Sequence, residues 1–323
     1  MNLSIIGASQ ILNQYHINAI NALDEINLQY IFDLNYSSSL IIEKKSTGKA
    51  VKNIEDVYKS DYCFISVPPS ARKEVISNLH GSFKAVIIEK PAAVNLSEFN
   101  EIQELSIKKG FPIYVTQSRR YFSNHVLLEK LLKSGILGKI RKIKIREGGI
   151  LNWKSNSDHL SKSINESDKG VLQDIGSHLL DLVNLYCKSI GIKINDRNIK
   201  VNNFDHKNLT NDLFFSINGD LEIDMGISRS KMLSNLITIY GEHGQLITRS
   251  LFDDKLILRL NEGEKTTISS SLQKKDFSIE SAFTEMWKDI LNINDPIVRN
   301  AATLDSVKPS IEIMQKVIDE INK

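Results

Sequence analysis

The sequence predicts an α/β chain in two parts: a parallel sheet wound with helices, then an α+β part whose sheet is open-faced and mainly antiparallel. Three observations carry this. Short, almost wholly apolar runs alternate with helical stretches through the first third, the pattern of βαβ units whose sheet is covered on both faces. After about residue 120 the apolar pattern changes to a period of two, which marks strands with one solvated face. The length, 323 residues, is more than one small core organises and fits two domains. We place these at 1–120 and 121–323, with a C-terminal helix that can pack back on the first.

In chain order, LSIIG (3–7) reads as a strand ending in glycine, and Ile17, Ile20 and Leu23 share one side of the helix after it. LQYIFD (28–33), YCFISVPP (62–69), KAVIIEKP (84–91) and PIYVTQ (112–117) read as further strands, with helices at 71–80 and 97–109. A helix over 121–134 leads into the alternating run IRKIKIREGGI, and a second helix contains GVLQDIGSHLLDL (170–182). DLFFSI (212–217), LEIDMGISR (221–229), LITIYGE (236–242), GQLITR (244–249) and KLILRL (255–260) read as strands, and Thr303–Lys323 as a helix.

Composition narrows the function. Forty-one Lys and Arg against 39 Asp and Glu give a formal charge of +2, which leaves no electrostatic footprint for nucleic acid. No charged-then-apolar leader opens the chain and no apolar run of about 18 residues occurs, so the expectation is a cytoplasmic protein that does not use the membrane. The two cysteines, Cys63 and Cys187, have no metal-type spacing; Cys63 reads as a buried thiol, and no metal site is expected.

The chemistry begins at the first turn, GASQIL (7–12). A strand, a glycine turn and a helix N-terminus form the phosphate grip of a Rossmann domain. The full fingerprint has glycine at its third and sixth positions; here Ser9 and Leu12 stand there, and only Gly7 is kept. By spacing alone the turn reads equally as an ordinary βα connection. Ser9 offers a hydroxyl to phosphate, and Leu12 should push the helix away from the sheet. Asp33 ends the second strand, where an acid bonds the adenosine ribose hydroxyls and repels a 2′-phosphate; it reads otherwise as a strand-end turn residue. Pro68, Pro69 and the Glu89-Lys90-Pro91 run close later strands, at the ends where such sheets bind ligands. Lys90 is either a cleft ammonium or a solvated strand-end lysine.

In 170–182, Ile175, Leu179, Leu182, Val183 and Tyr186 recur at helical spacing, with Asp174, His178 and Asp181 beside them. Asp174 and His178 are near enough to interact, as a cleft pair or as a surface pair with Asp174 favouring the helix start.

Taken together, the glycine turn, the acid after the second strand, the PP strand end, EKP, the Arg-Tyr-Phe segment and G-x-x-x-D-x-G-x-H-x-x-D resemble the Gfo/Idh/MocA oxidoreductases, the glucose-fructose oxidoreductase and inositol dehydrogenase family. The motifs cover roughly 1–190. The resemblance implies a Rossmann domain, an open-faced sheet domain, and oxidation or reduction of a secondary alcohol or ketone on a sugar, cyclitol or nucleotide sugar. It makes Lys90, Asp174 and His178 the catalytic residues. It places the cofactor at Gly7, Ala8, Ser9, Gln10, Ile11, Asp33, Pro68, Pro69, Glu89 and Lys90. The cofactor expected is NAD, with NADP less favoured because of Asp33. Arg120, Tyr121, Trp153 and Lys169 become candidate substrate contacts, with Arg119 a weaker one. Ser9, Leu12 and Arg72, which stands where the family often has histidine, depart from its pattern.

His178, which titrates near neutrality, suits the proton transfer. Lys90 suits stabilising charge on the same oxygen, and Asp174 orients His178 or binds a hydroxyl. The proton role is open between Lys90 and His178. Two other functions share the fold: reduction of another electrophile such as an imine, and a binding protein with a degenerate cofactor site. A homodimer or homotetramer is expected if the open sheet face is apolar.

Overall fold

The computed structural model describes residues 1–150, 170–194, 198–204, 212–263, 265–269, 278–293 and 299–323. They form two compact units. The first takes Met1–Ser118 and Ile279–Lys308; the second takes the chain from Arg119, its sheet up to Ser278, and Pro309–Lys323.

In the first unit β1 (Asn2–Ile6), β2 (Asn27–Phe32), β3 (Lys49–Val51), β4 (Tyr62–Ile65), β5 (Ala85–Ile88) and β6 (Ile113–Val115) are parallel, in the order 3-2-1-4-5-6. The two-residue strand Ala302–Thr303 adds antiparallel to β6. Leu3, Ile5, Phe64, Ile65 and Val86–Ile88 are fully buried. Helices on both faces explain why these strands carry no polar alternation. The order reverses between β1 and β4, so a ligand crevice lies beyond their carboxyl ends. β3 and Ala302–Thr303 are too short to show a period, which is why sequence reasoning passes over them.

The second unit holds an eight-stranded sheet where the sequence suggested about five or six. Its strands are β7 (Ile140–Gly148), β8 (Asn198–Phe204), β9 (Asp212–Asn218), β10 (Glu222–Ser228), β11 (Leu236–Gly241), β12 (Gly244–Arg249), β13 (Lys255–Leu260) and β14 (Lys265–Ser269). The order is 14-13-12-11-7-10-9-8, antiparallel except for the central β7–β10 pair. One face buries Ile143, Ile145, Ile223, Met225, Ile237 and Ile239. At the centre of the other, Lys142 pairs with Glu222 at 2.8 Å and Arg146 with Asp224 at 2.8 Å. Charged pairs thus occupy the centre of the open face, with half-buried Phe214, Leu236, Ile247 and Ile257 on the same face.

Helix Ile279–Leu291 returns the chain to the first unit. It does so by burying Phe283, Met286 and Trp287; Phe283 and Trp287 pack on Tyr15, His16 and Phe64. The sequence put this return on the C-terminal helix alone. No helix among the described residues is long and apolar enough to cross a membrane.

Candidate active site

In the first unit the site is built on the turn after β1. Gly7 has φ +95°, and an added Cβ would lie 2.6 Å from the Ser66 carbonyl oxygen. Only glycine lets β1 and the end of β4 approach this closely. The Asp33 carboxylate braces the turn: Oδ2 accepts the Ala8 N–H at 2.7 Å and Oδ1 the Asn35 N–H at 2.8 Å. Each oxygen keeps a second lone pair, so the carboxylate can still accept a ribose diol.

Ser9 supplies what the glycine fingerprint does not. Its hydroxyl accepts the Leu12 N–H at 3.2 Å and meets the Ser66 hydroxyl at 2.5 Å. It thereby caps the helix that starts at Gln10. With Ser66 as the donor, the Ser9 proton remains for an anion. The first-turn amides of Gln10 and Ile11 lack intrahelical acceptors by construction and point where a phosphate would sit. Leu12 is fully buried and opens a π-helical turn, Leu12–His16. A dinucleotide fits this cradle: a backbone with no room for a Cβ, a helix start, and a strand-end acid.

The other strand ends close around it. Pro69 begins the helix Pro69–Asn78, where a proline costs no hydrogen bond. Arg72 is buried; its guanidinium donates to the Pro91 carbonyl and, at 3.2 Å, to that of Val67. Thus Arg72 pins the Pro68 loop to the Lys90 turn. The Lys90–Pro91 bond is cis. Glu89 is buried, and its Oε1 accepts from His16 Nε2 at 2.6 Å and from the Thr116 hydroxyl at 2.7 Å. Burial alone would raise the Glu89 pKa; the hydrogen bonds from His16 and Thr116 and the charge of Lys90 outweigh it and hold it low.

In the second unit the helix at 170–182 is not uniform. Leu172–Gly176 is a π turn and Ser177–Ser189 an α-helix. π turns recur at functional sites, and both described here fall on candidate site segments. The wider turn breaks the 100° register assumed from sequence. Leu179, Leu182, Val183 and Tyr186 are fully buried, but Ile175 is half-buried and lines a recess of about 350 Å³. Asp174, Arg229, Glu147 and Asn235 line it too. Asp174 Oδ2 lies 2.8 Å from Nη2 of the buried Arg229, so Arg229 is a charged partner of Asp174 that the sequence did not suggest. Its only sequence signal is a lone arginine ending an apolar strand. His178 is half-buried on the α-helical turn that follows.

Arg120 and Tyr121 differ from the expectation of substrate contact. Both are buried, and Arg120 bonds Asp181 through Nε at 2.7 Å and Nη2 at 2.6 Å. This two-pronged pair takes up the Nε–Nη2 edge of the guanidinium and puts Asp181 in the core, not on a cleft edge. Arg119 is likewise locked to Glu147 by bonds of 2.7 and 2.8 Å. Burial would lower its pKa, but the Glu147 carboxylate outweighs that and raises it. His125 also has a partner the sequence did not reveal: Nε2 donates to the Ser250 carbonyl at 3.1 Å, and Nδ1 accepts from the Tyr186 hydroxyl at 2.8 Å. Burial pushes its pKa down to about 3, so it is a neutral core histidine. Trp153, Lys169, His159 and His206 lie outside the described residues. Of the proposed catalytic residues, Lys90 belongs to the first unit and Asp174 and His178 to the second.

Residues 1–117 match a family model, GFO_IDH_MocA, described as an oxidoreductase family with an NAD-binding Rossmann fold. Glucose-6-phosphate 3-dehydrogenase of Bacillus subtilis (strain 168) is 26% identical over 250 residues, 73% of this chain and 67% of its own length. An oxidoreductase from Agrobacterium radiobacter, solved with NAD+, L-tartaric acid and magnesium, superposes with a TM-score of 0.78 at 14% identity, covering 100% of this chain and 96% of its own. The super-repressor mutant of Gal80p from Saccharomyces cerevisiae superposes with a TM-score of 0.80 at 16% identity, covering 99% and 95%. At these identities the two structures speak for the fold.

Proposed function

We propose, for a chain whose N-terminal domain belongs to the Gfo/Idh/MocA oxidoreductases, the activity of an NAD(P)-dependent dehydrogenase or reductase at a secondary alcohol or ketone of a sugar-like substrate, with NAD preferred. The observation that carries it is the Asp33 carboxylate bonded to Ala8 beside a Gly7 that has no room for a side chain. A turn braced this way serves a dinucleotide, and the acid favours a ribose diol over a 2′-phosphate.

When bound, the nicotinamide cofactor gives or takes the hydride. The chain's own residues do the rest. Gln10 and Ile11 amides and the Ser9 hydroxyl hold the pyrophosphate, and Asp33 the ribose. Lys90 donates a hydrogen bond to the substrate oxygen and stabilises charge growing on it. His178 moves the proton. Asp174, aligned by Arg229, accepts from a neighbouring hydroxyl. The recess sets Glu147, Asp174, Arg229 and Asn235 among the apolar Ile150, Ile175, Met232 and Leu251, so it offers polar groups to hydroxyls and an apolar wall to C–H faces. The likeness to a glucose-6-phosphate 3-dehydrogenase supports a sugar.

Titration with NADH and NADPH, followed by nicotinamide fluorescence, tests the cofactor; no binding of either at millimolar concentration would refute it. Turnover is then assayed on aldoses, glucose 6-phosphate, cyclitols and nucleotide sugars. Cofactor binding without turnover on any of these would favour a binding protein. Unchanged turnover in His178→Ala would remove His178 from the proton step.

A further inference from the structure

The first unit contains a buried polar chain that the proposed chemistry does not use. Trp287 Nε1 lies 3.1 Å from His16 Nδ1, His16 Nε2 lies 2.6 Å from Glu89 Oε1, and Glu89 Oε2 lies 3.2 Å from the Lys90 amide nitrogen. Each direction is fixed by chemistry. An indole N–H only donates, so His16 Nδ1 accepts and the imidazole proton is on Nε2. Nε2 therefore donates to Glu89. The backbone N–H of Lys90 donates to the other carboxylate oxygen, and the Thr116 hydroxyl, 2.7 Å from Oε1, completes the set. Every polar corner of the imidazole and both oxygens of the carboxylate are engaged.

The imidazole cannot swing. His16 is fully buried, with its ring centroid 4.8 Å from Phe64, 4.8 Å from Phe283 and 5.9 Å from Trp287. It closes the π turn that begins at Leu12, on the helix that starts at the glycine turn. Phe283 and Trp287 come from a helix more than 260 positions away in sequence. The chain thus ties three things together: the helix proposed to grip the cofactor, the turn that presents Lys90, and a helix from the far end of the sequence.

We propose that His16 is a positioning residue for Lys90, acting through Glu89, with Trp287 fixing its tautomer. The proposal rests on Lys90 being the residue that contacts the substrate oxygen, and the test separates the two. His16→Leu, His16→Gln, Lys90→Ala and the double variant His16→Leu/Lys90→Ala are compared on the full chain. Two readouts are used: turnover on the sugar panel, and acylation of Lys90 by acetic anhydride, followed by peptide mass spectrometry with Lys84 and Lys52 as internal references.

His16→Leu should lower kcat by roughly ten- to a hundredfold, the scale of a misplacement of about 1 Å. NADH affinity should fall by less than kcat does, and acylation of Lys90 should change relative to Lys84 and Lys52. His16→Gln, which retains an N–H donor toward Glu89, should recover most of both. In the Lys90→Ala background, His16→Leu should cost little more, because its effect passes through the missing lysine. Additive losses in the double variant, or Lys90 acylation unchanged in a folded His16→Leu protein, would overturn the proposal. Full turnover in Lys90→Ala would instead refute the catalytic reading of Lys90, while the acylation readout would still decide whether His16 positions it.

Discussion

Replacing Asp33 tests the cofactor assignment with a built-in control. Its carboxylate makes two kinds of bond. One is present in the structure: Oδ2 holds Ala8 at 2.7 Å and Oδ1 holds Asn35 at 2.8 Å. The other is made only to a bound ribose diol. Asp33→Asn keeps one oxygen and turns an NH2 toward one of the backbone donors, so it loosens the turn and weakens every dinucleotide. That common loss is about 1.5–3 kcal/mol, the worth of a hydrogen bond to a charged acceptor. The bond to the 2′-hydroxyl belongs to NADH alone and is worth a similar amount, about tenfold or more in affinity. NADPH loses only the common term and is relieved of repulsion between a carboxylate and its 2′-phosphate. NADH affinity should therefore fall by roughly a hundredfold or more, while NADPH affinity falls much less or rises. The ratio of the two dissociation constants, measured by nicotinamide fluorescence at fixed ionic strength, cancels the common term. A ratio unchanged by the substitution would refute the ribose role, whatever happened to the absolute affinities.

Gly7→Ala should abolish NADH binding and lower the melting temperature, since a Cβ would meet the Ser66 carbonyl oxygen at 2.6 Å from a φ of +95°; an alanine variant that binds normally would show that the turn is not the cradle. Asp181→Ala should destabilise by about 3–5 kcal/mol in urea unfolding by leaving Arg120 charged and buried, whereas Arg120→Met/Asp181→Leu should be far milder. A double variant as damaged as the single would contradict a purely structural pair. His125 predicts a pH dependence. Its folded pKa, about 3, lies below the ordinary 6.5, so the unfolded chain binds the proton first. The stability it contributes is complete above about 6.5 and drains away as pH falls toward about 3. The stability of wild type minus that of His125→Asn, measured across that window, should shrink on acidification; a flat difference would place a charged histidine in the core.

The parts of the fold legible in the sequence are those set by local periodicity. LSIIG, YCFI and AVII are buried on both faces and show no alternation, and Ile140–Gly148 has one wet face and alternates. Gly7, Asp33 and Lys90 were legible because each ends a strand. What was not legible depends on distant partners. Arg120 reads as a cleft arginine until Asp181, 61 positions on, takes its fork. Asp174 reads as the partner of His178, and only the fold brings Arg229 to it as well. Helix Ile279–Leu291 does carry a signal: Phe283, Met286, Trp287 and Ile290 repeat at helical spacing. Its docking partner, His16, carries none. π turns leave no pattern either, because a single wide turn shifts a wheel without changing its composition.

The departures from the glycine fingerprint have a physical reading that the pattern itself hides. A fingerprint lists residues, but the fold must meet conditions: two strand ends in close contact, a capped helix start, and space for the first helical turn against the sheet. The first condition is met by Gly7, where a side chain would strike the Ser66 backbone. The second is met by Ser9, whose hydroxyl caps Leu12 and reaches Ser66 across the crevice, a link that glycine cannot make. The third is met at Leu12 by widening the helix, not by removing the side chain. That same wide turn ends at His16 and faces it toward Glu89. The residue that breaks the motif thus opens the turn whose last member reaches the strand end bearing Lys90.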